Sequence, residues 1–106
     1  MIEVRLRPVE PRTPFERWEI GISLLPEFRG KGYGTTAQRL LVRYLFENTP
    51  VFRIQALTDA ENIAEQRSLE KAGFTREGVL RGCAFRAGAW RDEVLYAVIR
   101  PDVDLS

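Results

Sequence analysis

Histidine is absent from this 106-residue chain, and cysteine occurs once, at Cys83. Without histidine there can be no Ser-His-Asp triad, no Cys–His nucleophile pair and no ordinary zinc site. Any catalysis must use carboxylates, hydroxyls, backbone dipoles or water. A single cysteine excludes an internal disulfide and fits a reducing, cytoplasmic setting. Between Gly82 and Ala84, in a predicted strand, Cys83 reads as a small buried or half-buried thiol. Lysine is scarce, with only Lys31 and Lys71; this reads as coding bias and carries no function. No apolar run approaches a membrane span, and no signal peptide opens the chain. Nor is one sign of charge in excess: 16 basic and 15 acidic residues are scattered along the sequence, for a net charge of +1. There is no basic block and no aromatic–basic interleaving of the kind that tracks nucleic acid. Neither a nucleic acid nor a membrane is therefore an expected partner.

What is present suits one soluble domain over residues 1–106, with 44% hydrophobic and 29% charged residues. Ile2 to Val9 alternates apolar and charged residues, the pattern of a strand with one wet face. Pro8, Pro11 and Pro14 mark a loop. Trp18 to Leu25 is more continuously apolar and reads as a central strand. A helix is predicted from Thr35 or Thr36, with Ala37, Leu40, Leu41, Tyr44 and Leu45 as its buried stripe, ending at Asn48 and Pro50. Phe52 to Thr58 reads as a strand with Phe52, Ile54 and Ala56 on one face. Strand–helix–strand at this spacing implies a right-handed parallel crossover. Asn62 with Glu65 makes a capping box for a second helix, which Gly73 closes. Val79 to Phe85 and Glu93 to Ile99 are predicted antiparallel strands around Ala87-Gly88-Ala89. The fold class is α/β, a mixed sheet with helices on its faces.

The densest signal is Arg29-Gly30-Lys31-Gly32-Tyr33-Gly34-Thr35, between a strand and a helix. Glycines there permit a tight bend and leave N–H groups bare where the helix starts. Unpaired donors and the helix dipole both favour an anion, so a phosphate-bearing ligand is expected. A P-loop would need Gly-Lys-Ser or Gly-Lys-Thr, and Gly32 stands where the hydroxyl should be. A dinucleotide fingerprint begun at Gly30 would need glycine where Thr35 stands.

The remaining spacing, R-x-x-G-x-G from Arg29 through Gly32 to Gly34, resembles the acetyl-CoA pyrophosphate loop of the GCN5-related N-acetyltransferases, the GNAT family. Trp18 to Pro26 resembles that family's fourth strand, and Pro26 to Gly32 its strand-to-loop junction. Asn62 leading into Glu70-Lys71-Ala72-Gly73-Phe74 is similar to its N-x-x-S…E-K-x-G-F segment. The hairpin from Phe74 to Ile99, with Trp90-Arg91-Asp92, resembles the branch that acetylates ribosomal-protein N-termini, the RimJ/RimL type. The resemblance covers about Ile2 to Arg100.

It implies an N-acetyltransferase that moves an acetyl group from acetyl-CoA to a primary amine, a protein N-terminus or a small molecule, by direct attack and without a metal. Backbone N–H groups of Gly30, Lys31, Gly32, Tyr33, Gly34 and Thr35 would cradle the pyrophosphate, with charge from Lys31 at the rim, while Arg29 would contact a phosphate or brace the loop. The pantetheine arm would pair with backbone near Leu24 and Leu25, where an N–H could polarise the thioester carbonyl. Asn62 could lie beside that arm, cap its helix, or both. Glu19 is a candidate general base acting through water, or an ordinary carboxylate on an exposed face. Asp92 could hold an acceptor ammonium, or be a solvated hairpin carboxylate; Trp90 is expected to pack. Many family members carry a tyrosine general acid where this chain has Leu69, and the serine three residues after the asparagine is here Glu65. Ser68, Tyr33 or water could stand in for the acid.

By the same resemblance a strand, two helices and a further strand would precede the segment like Ile2. Their lack here would leave the acceptor groove incomplete and an edge open to a second copy. A homodimer is therefore expected, with or without exchanged strands. The alternatives are a shortened CoA-binding module without turnover, and a fragment of a longer enzyme.

Overall fold

The computed structural model of the chain describes residues 2–8, 17–24 and 33–104. Strand β1 (Ile2–Pro8) pairs antiparallel with β2 (Arg17–Leu24) in an unbroken register from Ile2 opposite Leu24 to Pro8 opposite Trp18. Helix α1 (Tyr33–Asn48) leads to β3 (Arg53–Asp59), which lies parallel to β2. Helix α2 (Ile63–Lys71) then leads to the long hairpin of β4 (Thr75–Arg86) and β5 (Ala89–Ile99). The five-stranded order is β1-β2-β3-β5-β4, so the last strand inserts between β3 and β4. The chain is thus a mixed α/β sheet, as the sequence pattern predicts.

The core lies on one sheet face. Ile54, Ala56 and Thr58 of β3 stand opposite Val98, Tyr96 and Val94 of β5, and all six are buried. Val42, Leu45 and Phe46 of α1, Leu69 of α2 and Phe74 complete the cluster. Both helices cover the same face because their crossovers step the same way across the sheet and share one hand.

Helix α1 buries only part of the predicted stripe: Leu45 is buried and Leu41 packs against the core, but the buried face is rotated from the predicted one. Gln38, Val42, Leu45 and Phe46 face the core, while Leu40 and Tyr44 are 64% and 60% exposed. Both stripes satisfy the same i, i+4, i+7, i+8 spacing. The observed one begins at a glutamine, which a hydrophobic pattern reads as solvent-facing. Phe52 also departs from expectation: it precedes β3 and is half exposed, and its carbonyl accepts the Arg100 N–H at 2.8 Å.

The helix ends are closed by side chains. The last carbonyls of α1 meet the Arg100 guanidinium, which donates to Phe46 O at 2.7 Å, Thr49 O at 2.6 Å and Val51 O at 2.8 Å. It also lies over the Phe46 ring, 5.2 Å from its centroid. Helix α2 ends in a Schellman motif: Phe74 N–H donates to Leu69 O and Gly73 N–H to Glu70 O, with Gly73 at φ +99°. The β4–β5 turn has φ values of +50° at Ala87 and +78° at Gly88, the signature of a type I′ hairpin.

Candidate functional site

Strands β2 and β3 pair only from Arg17 opposite Arg53 to Glu19 opposite Gln55. Beyond that point β2 continues to Leu24 and β3 to Asp59 without further pairing to each other. Ile20 to Leu24 are held on their other side by β1. The two parallel strands therefore part at Glu19, and among the described residues no strand pairs with the gap-facing backbone beyond it. Such backbone is a template for an added extended segment. The gap opens toward the carboxyl ends of the strands, where ligands collect in α/β sheets. There too α1 begins, with Tyr33, Gly34 and Thr35 as its first turn. Its first N–H groups have no intrahelical acceptor.

The two helices meet beside this mouth through a polar chain. Thr35 Oγ1 lies 2.8 Å from Ser68 Oγ. Ser68 donates to Gln38 Oε1 at 3.1 Å, and Gln38 Nε2 donates to Glu65 Oε1 at 2.6 Å. Gln38 is only 1% exposed, so both ends of its amide are satisfied within the protein. Burial pushes the Glu65 carboxyl above its usual range, and the bond from Gln38 partly opposes this. Asn62 caps α2: its Oδ1 accepts the Glu65 N–H at 3.1 Å. The expected capping box is only half formed, because the Glu65 side chain turns to Gln38, while the Asn62 N–H donates to Asp59 O. Sequence reasoning missed Gln38, which carries no signal in a search for apolar periodicity.

The other expected site residues fall in several places. Leu24 ends β2, and Glu19 occupies the last paired position between β2 and β3. Leu25, Arg29, Gly30, Lys31 and Gly32 lie outside the described residues. Asp92 is on β5 opposite an irregular stretch of β4, where the three residues Arg81, Gly82 and Cys83 stand against this one. Its Oδ1 accepts the Gly82 N–H at 2.8 Å, with Gly82 at φ +56°, so this carboxylate ties down the bulge. Ser68 is on α2, within the polar chain. Two expectations are corrected. Cys83 is exposed, because the bulge turns it outward from the ladder. Trp90 is 70% exposed and meets Phe85 edge to face at 5.4 Å on the hairpin, away from the core. Among the described residues no group of three His, Cys, Asp or Glu side chains could hold a metal ion. Among them, too, no helix is long and apolar enough to cross a membrane.

Residues 2–75 match the family model described as acetyltransferase (GNAT) domain. The chain belongs to the GNAT acetyltransferase family. It is 40% identical over 83 residues to the probable N-acetyltransferase YjcK of Bacillus subtilis, covering 78% of this chain and 46% of that protein. It is 31% identical over 91 residues to the [ribosomal protein uS5]-alanine N-acetyltransferase of Escherichia coli, covering 86% and 47%. The chain thus spans about half the length of the curated relatives it matches. The crystal structure of a GNAT acetyltransferase from Bacillus anthracis superposes with a TM-score of 0.81 at 29% identity, over 91% of this chain and 56% of that one. The microcin C7 self-immunity acetyltransferase MccE, solved with acetyl-CoA and AMP, superposes at 0.74 and 26% identity, over 80% and 47%.

Proposed function

We propose that the chain carries the acetyl-CoA half of an N-acetyltransferase, which passes the acetyl group directly to a primary amine. The observation that carries this reading is the parting of β2 from β3 after Glu19, at the end of the sheet where α1 begins. The gap-facing backbone from Ile20 to Leu24 suits an amide-bearing pantetheine arm, which hydrogen-bonds like a strand. The N–H groups from Gly30 to Thr35 suit the diphosphate. A backbone N–H near Leu24 or Leu25 would steady the oxyanion formed on attack. Asn62 stands at the start of α2 to meet the arm while it caps the helix.

An amine with a pKa near 10 must lose a proton before it attacks. Glu19, at the point where the strands part, would accept that proton through water. The thiolate released has a pKa of about 8.5 and is a tolerable leaving group, so a weak acid or water suffices at the Leu69 position. Ser68 is the candidate for that acid, its proton having to turn from Gln38 Oε1 to the thiolate, and Asp92 a candidate for holding the acceptor ammonium. No covalent enzyme intermediate is required. The acceptor class that the RimJ/RimL resemblance favours is a peptide N-terminus; the similarity to a uS5-alanine N-acetyltransferase supports it. A homodimer in the cytoplasm is the proposed working form, its open sheet edges β1 and β4 being available for pairing.

The test is thiol release from acetyl-CoA with a panel of peptide N-termini and small amines. Gly32→Glu should abolish CoA binding by placing a carboxylate among the phosphates. Glu19→Gln should lower kcat at least tenfold while leaving CoA affinity intact. Turnover that survives Gly32→Glu would sink the loop assignment. CoA binding without turnover on any amine would make this a binding module.

A further inference from the structure

The chain Thr35–Ser68–Gln38–Glu65 has a direction, and Glu65 fixes it. An ionised carboxylate only accepts hydrogen bonds. It therefore takes the amide nitrogen of Gln38, which leaves Gln38 Oε1 as an acceptor. Ser68 has one hydroxyl proton, and it goes to that oxygen. Either hydroxyl could donate across the Thr35–Ser68 contact, but Ser68 has no proton left, so Thr35 must be the donor. The Thr35 proton points inward, and the lone pairs of Oγ1 are what remains for anything outside. Thr35 is the third residue of α1, in the first turn, whose N–H groups have no intrahelical acceptor and suit an anion. A phosphate oxygen arriving there meets an acceptor in place of a donor.

We propose that Glu65, acting through Gln38 and Ser68, sets whether the Thr35 hydroxyl donates inward or toward a phosphate of the bound nucleotide. The proposal rests on the reading of the α1 N-terminus as the diphosphate site. When residue 65 is neutral and can donate, every group in the chain can reverse. Residue 65 donates to Gln38 Oε1, Gln38 Nε2 donates to Ser68 Oγ, and Ser68 donates to Thr35 Oγ1. The Thr35 proton is then released for the ligand. No heavy-atom contact breaks; one amide turns over and two hydroxyls rotate. In the natural chain the neutralising proton comes from solvent, and the buried setting of Glu65 favours taking it up. Gln38 is the polar group of α1 that meets this carboxyl; the neighbouring cation Arg39 turns away to the Lys71 carbonyl at the far end of α2. Glu65, Gln38 and Ser68 are in this sense positioning residues for the cosubstrate.

The experiment is calorimetric titration of CoA at pH 8 into the natural chain, Glu65→Gln, Thr35→Val and the double variant, with a thermal melt of each. Glutamine at 65 can accept or donate, so it frees the chain to reverse. The expected result is a CoA affinity roughly tenfold tighter in Glu65→Gln, the worth of one hydrogen bond to a charged oxygen. The gain should vanish when Thr35 is valine. Should Thr35→Val fail to fold, Ser68→Ala serves instead: it removes the acceptor that holds the Thr35 proton inward, so it should tighten binding by itself, and Glu65→Gln should add no further gain to it. Damage to packing would weaken binding, so a tighter complex that depends on Thr35 or Ser68 is the mark of the relay. Unchanged or weaker binding in a folded Glu65→Gln, or a gain that survives both second substitutions, overturns the proposal alone. Absence of CoA association with the natural chain at millimolar ligand overturns the diphosphate reading and this proposal with it.

Discussion

Ser68 has one proton and two neighbours that can take it, and this arithmetic governs the residues around the cleft. Removing the hydroxyl with Ser68→Ala leaves Gln38 Oε1 and Thr35 without a partner in a part-buried site. The expected cost is about 1–2 kcal/mol, measured by urea unfolding. Glu65 gives a second prediction. Its folded-state pKa is raised above the ordinary value of 4.5. The stability linked to its protonation is thus complete below about pH 4.5 and lost as pH rises through the folded value. Glu65→Gln should therefore be more stable than the natural chain at neutral pH, and the two curves should converge as the pH falls toward 4.5. A difference that stays constant across that range would sink this account. At this scale the sequence was half legible. Asn62 and Glu65 were read as a cap, and Asn62 is one. The turn of Glu65 toward α1 could not be read, because it depends on a glutamine 27 residues away in the chain, on the other helix.

Among the elements, α1 shows why periodicity finds a helix more readily than its orientation. Positions 37, 41, 44 and 45 and positions 38, 42, 45 and 46 have the same spacing; the second set is fully buried, while of the first only Leu45 is, with Leu41 packed at the edge of the core and Tyr44 exposed. The first set looked better because Gln38 spoils the second. Burial of that amide is possible only because Ser68 and Glu65 satisfy it. Turn chemistry was more transparent. Gly73 was read as the end of α2 and adopts φ +99°, with no atom within 4 Å of an added Cβ. Gly73→Ala should therefore cost only the backbone strain, about 1 kcal/mol. The hairpin offers the opposite change. Ala87 holds φ +50°, a region that asparagine or glycine tolerates better. Ala87→Asn should raise stability by about 0.5–1 kcal/mol with no change in CoA binding, read by thermal melting and calorimetry. The bulge opposite Asp92 was invisible in the sequence, since Gly82 beside an alternating strand fits a regular ladder equally well.

On the scale of the whole molecule, Arg100 joins the end of β5 to the end of α1. Its guanidinium serves three carbonyls that α1 and the following turn leave open. Arg100→Lys should cost about 2 kcal/mol, because a single ammonium cannot reproduce the planar fork. Equal denaturant midpoints for the two proteins would sink that role. The sheet order was legible only in part. The parallel crossover of β2 and β3 follows from strand–helix–strand spacing, whereas the placement of β5 between β3 and β4 is a matter of long-range pairing. That placement bears on how the chain is made. Translation delivers β3 and β4 before β5, yet neither touches the other without it. Until residue 99 has left the ribosome, the nascent chain holds two strands with open flanks and half a core. Its cooperative folding must wait for the strand that is synthesised after the other four.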